Sequence, residues 1–198
     1  MKTLKLIIML GLGSLVSACA TVDTASRNAH FEPQQPEYAS TLPSVRVGEI
    51  NVLVPQSLKV SERNSYYPGG DIVWRSDAIG NRHQQVKAIF DTALAQGTAP
   101  MDGLLPIRLD IRVERFHALT EKARYTTGGV HSITFAMQIR DLATGAAIGK
   151  ARLVKADLDG FGGRQALRAE ARGLTQKIRI TNHLAEVIRQ ELASQDGF

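Results

Sequence analysis

The residues able to do chemistry are few and far apart. The chain has a single cysteine, Cys19, and five histidines, His30, His83, His117, His131 and His183. None of them has the His-x-x-x-His or His-Glu-x-x-His spacing that sets two imidazoles on one helix face for a metal. No metal and no other cofactor is expected. Serine or carboxylate partners for His117 or His131 would have to be assembled by folding, so a hydrolytic site there ranks last among the functional readings. Gly160-Phe-Gly-Gly163 lacks the preceding strand and the following Lys-Ser/Thr of a phosphate cradle, and reads as a flexible lead-in to a helix. An enzyme is not the expected class.

Cys19 is placed for a different reaction. Lys2 and Lys5 precede an apolar run from Leu6 to Val16, and small residues follow it. That is the order of a bacterial secretory signal and its cut site. The run is too short, and too interrupted by glycine and serine, to cross a membrane as a helix, which needs ~20 apolar residues. Leu15-Val-Ser-Ala-Cys19 resembles the lipobox of bacterial lipoproteins. The resemblance implies cleavage before Cys19, a diacylated sulfur and an acylated new amino group. Each buried CH₂ contributes ~0.8 kcal/mol, so two or three chains anchor a domain firmly. Ala20 stands where an aspartate would signal inner-membrane retention in enteric bacteria, so the implied destination is the periplasmic face of the outer membrane. An ordinary cleaved signal with a chance cysteine is the rival reading, and it leaves the coincidence of all three parts unexplained.

Loss of residues 1–18 removes two lysines and no acid, so the formal net charge of +5 becomes +3. Nucleic acid is absent from that compartment, and nucleic-acid binding is excluded. With its cysteine on lipid the domain has no disulfide, and its core must stabilise it alone. Residues 19–44 carry three prolines, many small polar residues and no apolar period, the composition of a flexible tether reaching ~25–30 Å. Residues 45–198 suit one domain with one core.

Two loops hold the best contact residues. Asn64-Ser-Tyr-Tyr-Pro-Gly-Gly-Asp-Ile-Val-Trp74 is dense in aromatics, and Tyr66, Tyr67 and Trp74 are suited to a partner or ligand surface. The alternative is that they cap the end of the core with their polar atoms satisfied locally. Thr120–Gly129 is long for a hairpin connection, and Arg124 and Tyr125 are its contact candidates; a plain solvated loop is the rival. Arg108, Asp110, Arg112 and Glu114 alternate along one strand as a solvated sheet face.

The elements that position these loops follow from periodicity. Val45–Val54 reads as a strand ended by Pro55. Ile79, Val86, Ile89, Phe90, Ala93 and Leu94 fall at helical spacing, with Asp77 as cap and Gly97 as stop. Ile107–Glu114 alternates strictly, and Arg115-Phe116 breaks the phase as a bulge or strand end. Ile133–Ile139 alternates again, a turn at Asp141–Gly145 follows, and Ala147–Ala156 pairs back with an ambiguous inward face. Leu167, Leu174, Thr181 and Ile188 repeat every seven residues, as do Ala171, Ile178, Ala185 and Leu192. They predict one helix from about Arg164 to Ala193. The order β-α-β-β-β-α predicts an α+β two-layer sandwich: a four-stranded, largely antiparallel sheet with two helices on one face.

This order on a lipidated anchor resembles the auxiliary lipoprotein component of bacterial ABC-type transport systems, through Ile107–Phe116, Ser132–Arg140 and His183–Leu192. Asn64–Trp74, Phe116–Val130 and Ala171–Lys177 resemble an uncharacterised lipoprotein family of alphaproteobacteria. The resemblances imply a lipid-anchored periplasmic binding protein, accessory to an envelope transport or assembly system, with an envelope complex or a lipid as partner. A structural or lipid-binding lipoprotein is the alternative.

Overall fold

The computed structural model describes residues 44–194. Cys19, the signal segment and the tether up to residue 43 lie outside them. The described residues form a mixed α+β domain of six strands and four helices. A four-stranded sheet in the order β-α-β-β-β-α was expected; the sheet instead has six strands, of which β1-β3-β4-β5 form the main path. Its two outer positions are each broken in two.

On one side, β1 (Val45–Leu53) pairs with the first part of β3 (Leu105–His117), and the short β2 (Ile72–Val73) pairs with its last residues, Phe116 and His117. Both pairings are parallel, because the chain returns through helix α1 (Arg82–Thr98). On the other side, β4 (Gly129–Asp141) pairs antiparallel with β3, with β5 (Ala147–Lys155) and with the three-residue β6 (Leu158–Gly160). The phase break at Arg115-Phe116 is a bulge between Val113 and Arg115, and the strand runs on to His117.

Ile107, Leu109, Ile111 and Val113 of β3 and Ile133, Phe135, Met137 and Ile139 of β4 point to one face and are buried. Phe90 of α1 meets them, edge-on to Phe135 at 5.5 Å. Ile180, Leu184, Ile188 and Leu192 of α4 (Gln176–Ala193) complete this core. Each such side chain contributes ~1.5–3 kcal/mol by leaving water. The ambiguous face of β5 has a simple cause. Arg152 occupies an inward position, opposite Met137, and reaches out to Glu191 of α4 at 2.8 Å.

Three expectations about the helices are corrected. Asn81, not Asp77, caps α1 by accepting from the Gln84 N–H. Gly97 lies inside α1 rather than ending it, because a Cβ there would stand 2.6 Å from the Ala185 carbonyl oxygen of α4. The final helix is two helices. α3 (Gly163–Ala171) ends at a left-handed Gly173 with φ 78°, and Leu174 N–H closes on the Ala169 carbonyl. Thr175 then caps α4. A glycine just beyond the last helical turn ends a helix at no steric cost. No described helix is long and apolar enough to cross a membrane.

Candidate binding site

Between β1 and β2 the chain makes an excursion from Pro55 to Asp71. Its base is pinned beside β2, with Ser61 N–H donating to the Ile72 carbonyl and Ile72 N–H to the Lys59 carbonyl. Gly69 and Gly70, both with positive φ, turn the chain back. At the tip Tyr67 is 91% exposed and Tyr66 44%.

The second loop folds against the first. Thr120 accepts from Ala123 N–H to start the one-turn helix α2 (Glu121–Arg124), and its hydroxyl donates to the Ser65 carbonyl at 2.9 Å. Lys122 N–H donates to Asn64 Oδ1 at 2.8 Å, and the Lys122 ammonium lies 4.8 Å from the Tyr66 ring centre. Thr126 and Tyr66 hydroxyls are 3.3 Å apart. The two loops singled out in the sequence thus converge at one end of the sheet.

Between them opens a cleft of about 530 Å³. Tyr66, Tyr67, Pro68, Leu119 and Val130 line it, together with His117 and the backbone of Gly128 and Gly129. None of the described residues lining it is a carboxylate, lysine or arginine. Burial and the nearby Arg115 cation push the His117 imidazole below its ordinary pKa, so it too is neutral at neutral pH. The Ser65 hydroxyl is buried on this wall with no hydrogen-bond partner among the described residues.

Trp74 does not belong to this surface. It is fully buried, edge-on to Phe116 at 5.7 Å, and its indole N–H donates to Asp77 Oδ2 at 2.8 Å. Trp74 is thus not a contact residue but follows the alternative reading, a core cap with its polar atom satisfied locally, and the reason is β2. Ile72 and Val73 join the sheet, so the next residue is carried into the core. Asp77 also pairs with Lys177 of α4 at 2.9 Å, and these partners hold its carboxyl below the usual range despite burial.

Arg124 is turned into the body as well. It donates to the Ser76 hydroxyl at 3.1 Å and to the Tyr125 hydroxyl at 2.9 Å, and stands 3.4 Å from Glu170 of α3. Tyr125 stays 43% exposed, with its ring under the Arg124 guanidinium. Behind the loops Glu62 links two cations, Arg75 and the buried Arg82, and Arg75 also meets Glu121 at 2.6 Å. This ion-pair chain fixes the excursion to α1 and α2.

Sequence reasoning missed the role of the glycines at 160–163. They are not a flexible lead-in. A Cβ on Gly128 would lie 2.6 Å from the Gly160 carbonyl oxygen, and one on Gly162 would strike the Gly128 backbone nitrogen. Two glycine pairs let two backbones cross in contact and set α3 against the back of the second loop. The signal was present as Gly128-Gly129 and Gly162-Gly163, but nothing in it says which pair meets which.

The chain belongs to DUF6778, a family of unknown function, whose model matches residues 45–198. None of the curated proteins is similar to it. Among solved structures it is similar to a Caulobacter crescentus CB15 protein named a "putative lipoprotein", at 16% identity and TM-score 0.34, over 59% of this chain and 83% of that one. A Xanthomonas campestris protein of family DUF330 gives 13% identity and TM-score 0.40, over 77% and 88%. The PelC dodecamer of Paraburkholderia phytofirmans gives 17% and 0.28, over 71% and 90%.

The two histidines considered for hydrolysis part company in this DUF6778 chain. His117 pairs across the sheet with Ser132, so His131, one residue further, leaves by the opposite face. His131 is buried, and its Nδ1 accepts from Leu119 N–H at 3.3 Å. Burial and the Arg179 and Arg124 cations push its pKa down to about 4. Gln176 and Arg179 share with it a small recess of about 10 Å³, room for one water. Among the described residues no group of histidines and carboxylates is arranged to hold a metal.

Proposed function

We propose that this protein is a lipid-anchored binding module of the cell envelope, held by Cys19 on the periplasmic face of the outer membrane. Its cleft takes an acyl chain of an envelope lipid, and the protein serves as an accessory to an envelope transport or assembly system. The observation that carries the reading is the cleft between the two loops: about 530 Å³, open, walled mainly by tyrosine, proline, leucine and valine, with no charged residue among the described residues that line it. Such a wall favours an apolar occupant and penalises a charged one, which would lose its hydration without gaining a counter-charge. The unpartnered Ser65 hydroxyl on this wall is a donor for an ester at one end of the chain. No chemical step is required.

The geometry of the tether fits this role. Val45 pairs with Leu105 at the start of β3, whereas the cleft lies at its end, beyond His117. At ~3.3 Å per residue the two ends are ~40 Å apart. The segment from Cys19 to Ser44 can span up to ~85 Å fully extended, so the cleft can reach a bilayer or stand clear of it.

The test places a photo-crosslinking residue, Tyr67→p-benzoylphenylalanine, at the tip in living cells. Ile79, 96% exposed elsewhere on the domain, takes the same residue as control. A lipid-mass adduct at 67 and not at 79 is expected, together with recovery of an ABC permease or substrate-binding component. A protein adduct without lipid would replace the acyl chain by a polypeptide partner. Equal labelling at both positions would overturn the reading.

A further inference from the structure

A continuous helix over 164–193 would have buried Leu167, Leu174 and Ile178 in one stripe with Ile188 and Leu192. The break at Gly173 undoes that. α3 turns only Ala166 and Ala169 to the body and leaves Leu167 54% exposed; past the break Leu174 is 41% exposed, and Ile178 in the first turn of α4 is 43% exposed. Arg164 and Arg168 flank Leu167 on α3 at i and i+4, and Arg172 follows four residues on as the C-cap, which sets three guanidinium groups along one side of this turn of chain. All three are exposed, and none has an ion pair among the described residues. The single acid between residues 163 and 179, Glu170, is already engaged by Arg124 and Tyr125.

The charges on the outer sheet face behave differently. Asp110 there meets Arg108 at 3.1 Å and Arg140 at 2.7 Å, and Arg112 meets Glu114 at 3.6 Å. That strip is satisfied within itself. The α3 stripe keeps its charge for something outside, and flanks it with apolar side chains. An arginine row beside leucines matches the headgroup boundary of an anionic bilayer, where phosphates take the guanidinium groups and the leucines enter the acyl edge.

We infer that the α3 surface, formed by Arg164, Arg168 and Arg172 with Leu167, Leu174 and Ile178, docks the domain on anionic phospholipid. This goes beyond the cleft reading and does not depend on it. Tyr125 and Glu170, 3.4 Å apart, connect this surface to the second loop.

The test reads the contact itself in the full chain. Ala171→Cys, exposed on α3, is labelled with an environment-sensitive fluorophore, and the protein is reconstituted on phosphatidylcholine vesicles with or without phosphatidylglycerol. A blue shift on the anionic vesicles alone, reversed by 0.5 M salt (on the order of the ionic strength that shortens screening to a few Å), is the expected result. Arg164→Gln/Arg168→Gln/Arg172→Gln should lower the docked-to-free ratio roughly a hundredfold, at about fivefold per arginine. The same spectrum on both vesicles, or a triple variant that behaves as the parent, would overturn the proposal. Parent protein, with Cys19 its only cysteine, gives the labelling background. Label on the parent would count against lipidation of Cys19, and the Ala171 comparison is then made in a Cys19→Ser chain, so the two readings fail separately.

Discussion

Tyr67 and Trp74 are seven residues apart in one aromatic segment, yet one is 91% exposed and the other has no exposure at all. The root of the segment is governed by the sheet. Two residues of pairing with Phe116 and His117 commit Ile72 and Val73 to the interior, and Trp74 follows them beside Phe116. The tip is governed by the second loop, which holds the backbone of Ser65 and Asn64 and leaves the tyrosines free. The same residue type therefore supports the fold at one end of the segment and offers a surface at the other. What separates them is backbone pairing, not composition.

Substitutions can break this contrast. Trp74→Ala should have the largest effect, a loss of about 3–5 kcal/mol in a urea titration, from the cavity and the abandoned Asp77 contact. An effect within the range of a surface residue would mean the root is not part of the core. A pH titration sharpens the difference next. His131 has its folded pKa pushed to about 4 from 6.5, so the unfolded chain takes up the proton first as pH falls. The stabilisation is complete above pH ~6.5, shrinks as pH drops, and is gone below about 4; its size is on the order of 3 kcal/mol. His131→Asn, which keeps an acceptor for Leu119 N–H, should flatten most of that slope, leaving the weaker one from His117, whose pKa is also lowered. Glu62, Asp77 and Glu121 are held below the usual carboxylate range, so their contribution is present at neutral pH and fails only under stronger acid.

Gly128→Ala should cost about 1–3 kcal/mol, because φ is 74° there and the Gly160 carbonyl blocks the new methyl. It should also disturb the cleft wall, read as altered crosslinking at position 67. Tyr67→Ala is expected to change stability by less than about 0.5 kcal/mol while abolishing lipid capture. A large stability loss there would erase the distinction between tip and root.

Much of this was legible in the sequence. The alternation in Ile107–Val113 and Ile133–Ile139 sufficed for the two central strands, since each apolar residue at period two must face a core. Val86, Ile89, Phe90, Ala93 and Leu94 sufficed for α1. The two loops were visible as candidates because they are long and aromatic or polar. Two-residue β2 and three-residue β6 were not, for periodicity needs more residues than either strand has. One glycine at 173 does not outweigh the seven-residue repeat of Leu167, Leu174, Thr181 and Ile188 on either side of it, so the exposure of Leu167 is not legible in the sequence.

Residue order alone therefore determined the central strands, the helices that cover them and the loops that carry the tyrosines. These depend on period and on local turn chemistry, which act between near neighbours. Only the tertiary structure decided that Trp74 is core, that Arg124 faces inward, that His117 and His131 are divided by the sheet, and that three arginines on α3 stand unpaired. Each of those outcomes rests on contacts or breaks that local pattern does not show: β2 on the end of β3, Gly162 on Gly128, and the break at Gly173 between α3 and α4. Contacts between residues far apart in the chain leave no period to read.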